Sequence, residues 1–165
     1  MDTGNTTVEL QVFADYHQFT LEDEQTGGGE PPDDWGVGIS PLRLLAAAPG
    51  MVGIGTLRNV TVPVTIEVRD DEPADGRHEA DHITEASLDV PSGTVVVLGG
   101  TDYRPDAPRV TVVPRTYHVR VYYDGFDTIS TDGLDGEDHY LVVLWPGEPQ
   151  PPRVLKQYQG TFPGG

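Results

Sequence analysis

The stretch Val60-Thr61-Val62-Pro63-Val64-Thr65-Ile66-Glu67-Val68 decides the fold class. Its valines and its isoleucine fall at every second position, with Thr, Pro and Glu between them. A period of two puts one set of side chains on one face of an extended strand, the pattern of a half-buried β-strand. Pro63 has no N–H to give to a ladder, so this strand is expected at a sheet edge or at a bulge. The same alternation recurs on both sides: Val8, Leu10 and Val12; Ala86, Leu88 and Val90; Tyr117, Val119, Val121 and Tyr123. Shorter apolar runs predict strands near Tyr16–Leu21, Met51–Leu57, Val95–Leu98, Val110–Val113, Tyr140–Trp145 and Arg153–Tyr158. Leu57-Arg58-Asn59-Val60 and Pro91-Ser92-Gly93 read as tight turns. One segment reads as helix, Pro41–Ala48, with Ser40 as cap, Pro41 at its first position and Pro49-Gly50 after it.

These signals predict an all-β chain: a single antiparallel β-sandwich of about eight or nine strands with one short helix. The 165 residues suit one domain. No linker divides them, and residues 1–6 and 160–165 are expected to be loose ends. Gly and Pro, 20 and 15 in number, supply the turns between short strands. There is no cysteine, which removes disulfides, zinc–thiolate sites and a thiol nucleophile. The N-terminus lacks the basic and then apolar pattern of a secretory signal, so a cytoplasmic location is expected.

Charge narrows the function. Asp and Glu number 27 against 10 Lys and Arg, a net of −17. Such a field repels DNA, RNA and anionic membranes, so direct nucleic-acid or membrane binding is not expected. It attracts a basic partner, although adaptation to a salty host gives the same total. The acids are clustered: seven lie in Asp15–Asp34, eight in Asp70–Asp89 and six in Asp124–Asp138. Arg104–Arg120 holds four arginines and one acid.

Catalytic signals are poor. The five histidines form no metal-ligand spacing beyond His78 and His82, and no third ligand fits that pair. No serine sits in a nucleophile elbow. Gly27-Gly28-Gly29 runs into Glu30 and two prolines, not into a phosphate-binding helix with lysine. The chain is therefore expected not to be an enzyme and to need no cofactor.

Two segments stand out for binding. The Asp124–His139 stretch, DGFDTISTDGLDGEDH, carries Asp132, Asp135, Glu137 and Asp138 in a glycine-bearing loop. Such a loop offers either an acidic face for a basic partner or oxygens for a hard cation such as calcium, though not in EF-hand spacing. Asp15-Tyr16-His17-Gln18-Phe19 packs aromatic and hydrogen-bonding groups into one strand corner. Tyr103, Tyr117, Tyr122, Tyr123 and Trp145 would suit a sugar-binding platform if one set faced solvent.

The Tyr16-His17-Gln18-Phe19-Thr20 segment, Trp35 and the turn-bearing Glu85–Gly93 segment together resemble the competence protein J family, bacterial inhibitors of a DNA-entry nuclease. The resemblance is strongest over the first hundred residues. It implies an acidic inhibitor or immunity partner that occupies the basic groove of a nuclease. The expected partner-binding residues are Asp132, Asp135, Glu137 and Asp138, flanked by Tyr16, His17 and Gln18. The acid-rich loops Asp15–Asp34, Asp70–Asp81 and Asp124–Asp138 would share the contact. The alternative is a calcium-stabilised carbohydrate-binding sandwich, with Asp132 and Asp135 on the metal and tyrosines on the sugar. A third reading is a structural or phage-derived β domain whose acidity reflects its host.

Overall fold

In the computed structural model, residues 6–14, 17–27, 44–73, 79–99 and 102–160 are described. Eleven strands are present: β1 (Thr6–Phe13), β2 (Gln18–Asp23), β3 (Leu45–Ala48), β4 (Met51–Gly55), β5 (Thr61–Val68), β6 (His82–Val90), β7 (Thr94–Gly99), β8 (Arg109–Thr111), β9 (Arg115–Asp124), β10 (His139–Pro146) and β11 (Arg153–Lys156). They form a six-stranded sheet in the order β1-β5-β10-β9-β6-β11 and a five-stranded sheet in the order β3-β4-β2-β7-β8. The chain is all-β and sandwich-like, as the alternation predicts.

The core follows the period of two. Val62, Val64, Ile66 and Val68 of β5 are buried, and Thr61, Pro63, Thr65 and Glu67 are exposed or half-buried. Val119, Val121 and Tyr123 of β9 and Tyr140, Val142 and Leu144 of β10 extend the same layer. Phe19 and Leu21 of β2, Val52 and Ile54 of β4, and Val95 and Val97 of β7 belong to the same core from the other sheet. Each such aliphatic side chain removed from water contributes roughly 1.5–3 kcal/mol. Phe19 meets Tyr140 edge-on at 6.3 Å, joining the sheets near one end. Trp145, Val143 and Tyr122 form a second cluster with Ala80 and Ile83. The middle of β10 is thus buried on both faces, which is why Val142–Trp145 reads as an unbroken apolar run.

Three expectations need correction. Leu45–Ala48 is not helical: it is β3, paired with Met51–Ile54 across Pro49-Gly50, where Gly50 takes φ +74°. A helix this short carries the full nucleation cost, and strand pairing with β4 outweighs the alanines' propensity. Pro41–Arg43 lie outside the described residues. β5 is neither an edge nor bulged, because it lies between β1 and β10. Pro63 stands opposite Gln11, and pairing with β10 starts one residue later, at Val64. The β5–β10 pair is parallel, so the larger sheet is mixed and not wholly antiparallel. The ten segments with strand signals all form strands and β3 is the eleventh, so the total exceeds the eight or nine expected.

The registers fix which loops meet. Phe13 pairs with Thr61, Val64 with Tyr140, Asp124 with His139, and Tyr123 with His82. One end of the sandwich therefore holds the β1–β2, β4–β5 and β9–β10 loops. The other end holds the end of β2, the β6–β7 and β8–β9 turns and the start of β1.

Candidate functional site

The β9–β10 loop, residues 125–138, is a built structure and not a loose acidic tether. Gly125 opens it at φ +77°, where an added Cβ would lie 2.2 Å from Glu137 O. Only glycine allows that approach in that conformation. Phe126 then turns inward, buried against Tyr123 at 6.0 Å and Tyr158 at 5.0 Å. Thr128 Oγ1 donates to Gly125 O at 2.6 Å and accepts from Glu137 N at 2.7 Å, tying the two arms together. At the tip, Ser130 N donates to Asp135 O at 2.8 Å, and Asp132 Oδ1 accepts from Ser130 Oγ at 2.6 Å and Leu134 N at 3.0 Å. The hydrogen bonds from Ser130 and from the Leu134 amide hold the Asp132 carboxyl below the usual aspartate value, so it is charged at any ordinary pH.

The root of the loop is locked from the β4–β5 connection. Asp138 is fully buried; its Oδ1 accepts from Arg58 Nε at 2.5 Å and its Oδ2 accepts from the Tyr140 hydroxyl at 2.6 Å. That hydroxyl accepts in turn from Leu57 N at 3.0 Å. Burial, and then the Asp138 charge, push the Tyr140 hydroxyl well above the ordinary tyrosine value, so it remains a donor. Arg58 Nη1 also reaches Leu134 O at 3.3 Å. One arginine thus braces both the root and the tip.

The β1–β2 corner packs beside it. His17 has φ 59°, uncommon for a residue with a side chain. Its amide donates to Ala14 O at 3.1 Å, its carbonyl accepts from Thr56 N at 2.9 Å, and its Nδ1 donates to Thr56 O at 3.2 Å. Between this corner and the loop tip lies an open cleft of about 390 Å³, lined by His17, Asn59, Val60, Asp132 and Leu134 among others. Leu134 is 62% exposed at its rim.

The expected partner-binding residues divide. Asp132, Asp135 and Glu137 are exposed on the loop, and His17 stands across the cleft from Asp132. Asp138 is corrected: it is buried in an ion pair and presents nothing to a partner. Gln18 is half-buried at the start of β2, and Tyr16 lies outside the described residues. Arg58, Asn59 and Leu134 join the site without a local signal in the sequence. The only hint of Arg58 was an arginine in a tight turn, eighty positions from its partner Asp138.

The idea that the acid-rich loops share one contact is also corrected. β2 ends at the opposite end of the sandwich, so Glu22, Asp23 and Glu24 lie far from the 125–138 loop. They are already satisfied there. Glu22 pairs with Arg104, Glu24 with Arg109 at 2.7 Å, and Asp23 accepts from Ser92 Oγ at 2.6 Å and Thr26 N at 2.8 Å. Arg104 and Arg109 thus neutralise Glu22 and Glu24, while Asp15, Glu30, Asp33 and Asp34 of the first acidic segment lie outside the described residues. In the second, Glu72 and the buried Glu85 hold Arg120 at 3.2 and 2.7 Å.

The sugar platform is not at the surface. Tyr117, Tyr122, Tyr123 and Trp145 are buried, and Tyr103 alone of the set is exposed. Among the described residues, no three His, Asp or Glu side chains converge so as to hold a metal ion.

No protein-family model matches the sequence, and no curated protein matches it. Solved structures do. The crystal structure of ComJ from Bacillus subtilis, described as an inhibitor of the DNA-degrading activity of NucA, superposes with a TM-score of 0.54 at 14% identity, over 89% of this chain and 99% of that one. The structure described as crocagin biosynthetic gene J superposes with a TM-score of 0.61 at 17% identity, over 88% of this chain and 100% of that one. The chain has a ComJ-like fold.

Proposed function

We propose that the chain is a non-enzymatic, cytoplasmic binding protein that inhibits, or gives immunity to, a basic nuclease through its 125–138 end. The observation that carries this reading is a braced loop whose exposed acids have no counter-ion among the described residues. Among the described residues, Asp132, Asp135 and Glu137 form no ion pair, whereas Glu22, Glu24, Glu85 and Asp138 each do. Preorganised charge of this kind loses little side-chain entropy on binding and steers encounter with a basic surface. Leu134 beside the cleft supplies an apolar anchor within the acidic rim. The ComJ-like fold supports the reading, since ComJ is described as a nuclease inhibitor; the crocagin protein shows that the fold has another context.

The test has two steps. The chain is immobilised, host lysate is passed over it at low salt, and eluates at rising salt are assayed for DNA degradation with and without added chain. A nuclease that elutes with salt and is inhibited by the chain is the expected result. The Asp132→Asn, Asp135→Asn, Glu137→Gln variant should then associate about tenfold more slowly, with a flatter salt dependence and an unchanged fold. Unchanged association would refute the surface, and no retained nuclease would refute the function.

A further inference from the structure

At the opposite end, the start of β1, the end of β5 and the β8–β9 turn line an open pocket of about 490 Å³. Its size is that of a small-molecule site. In a chain of net −17 it is lined by two arginines, Arg69 and Arg115. Most described arginines are committed to carboxylates, but Arg115 is exposed and forms no ion pair among the described residues. Arg69 Nη1 holds Glu67 at 2.8 Å, while its Nε–H is buried with no partner among the described residues.

The pocket wall is preformed. The Tyr117 hydroxyl donates to Val113 O at 2.7 Å, and Val112 N donates to Gly93 O at 2.9 Å. Val113, 65% exposed, adds apolar surface beside the arginines. Asp70 also lines the pocket. That carboxylate and the negative field of the whole chain oppose a second negative charge on a ligand. Each guanidinium offers a planar fork of N–H donors that matches a carboxylate.

We propose that this pocket binds a singly charged carboxylate carried on a small apolar body, its oxygens on Arg69 and Arg115 and its body against Val113. The experiment is an NMR titration of the intact protein, following backbone amides, with phenylacetate, its uncharged analogue phenylacetamide, and inorganic phosphate. Phenylacetate should give saturable shifts at Arg69, Asp70, Val113 and Arg115, with a dissociation constant of about 1–10 mM for so small a probe. Arg115→Gln, at an exposed position, should weaken it about tenfold. Asp70→Asn should tighten it a few-fold, because like-charge repulsion is removed. The proposal is overturned if phenylacetamide binds as tightly as phenylacetate, if phosphate binds the same amides as tightly, if no probe saturates them, or if Arg115→Gln changes nothing. None of these outcomes depends on the 125–138 loop.

Discussion

Asp138 shows how far burial alters the meaning of a residue. In the sequence it is one more acid in an acidic loop; in the fold it is the buried half of an ion pair with Arg58, with Tyr140 on its other oxygen. Asp138→Asn would strand the Arg58 charge in a site largely closed to water. We expect a loss of about 3–5 kcal/mol in urea unfolding, a large share of a domain's stability. Arg58→Met with Asp138→Leu should recover part of that loss, because the penalty lies in the uncompensated charge and not in the absence of a pair. Two other buried acids set the behaviour in acid. Burial works against ionisation of Asp23, but hydrogen bonds from Ser92 and Thr26 outweigh it and lower its pKa from 3.8. Burial likewise opposes Glu85, and Arg153, Gln150 and Arg120 outweigh it, lowering its pKa from 4.5. A depressed folded-state value means that the stabilisation is complete above the ordinary carboxylate range and is lost as pH falls through the lowered value. Urea midpoints measured down the acid range should therefore fall below about pH 4. Asp23→Asn should lower the neutral plateau and flatten that acid limb; an unchanged slope would remove Asp23 from the account.

At the scale of elements, β3 and the 125–138 loop carry the lessons. Three consecutive alanines after leucine favour a helix by propensity, yet Leu45–Ala48 completes an edge hairpin on β4. If strand pairing decides this segment, Ala46→Thr should leave the melting temperature unchanged or slightly raised. A helix would lose stability, since threonine is among the poorer helix formers. The loop, in turn, depends on one backbone position. Gly125→Ala adds a Cβ where 2.2 Å separates it from Glu137 O and forces a side chain to φ +77°. It should destabilise the protein by more than 1 kcal/mol and blunt partner association by releasing the acidic tip.

For the whole molecule, the distribution of charge matters more than its total. Strand direction sends β2 and β9 to opposite ends, so acids close in composition are separated in space. One end carries exposed acids on a braced loop; the other pairs Glu22 and Glu24 with Arg104 and Arg109 and holds an arginine-lined pocket. The two ends should respond differently to salt. Partner association at the loop should weaken steadily with ionic strength, whereas a carboxylate held between two arginines in a pocket is screened less.

The amino-acid sequence by itself determined the all-β class and ten of the strands, because alternation with period two depends only on which face of each strand leaves water. It also singled out His17, Asp132, Asp135 and Glu137 as candidates, since residue type and clustering are local properties. Only the tertiary structure decided the rest. Pairing across distant strands made Pro63 central, turned the Leu45–Ala48 alanines into an edge strand and buried the aromatic residues of the supposed platform. It also joined Arg58 to Asp138 and placed Arg69 and Arg115 on the lining of one pocket. Burial and ion pairing are relations between residues far apart along the chain, and no local pattern encodes them.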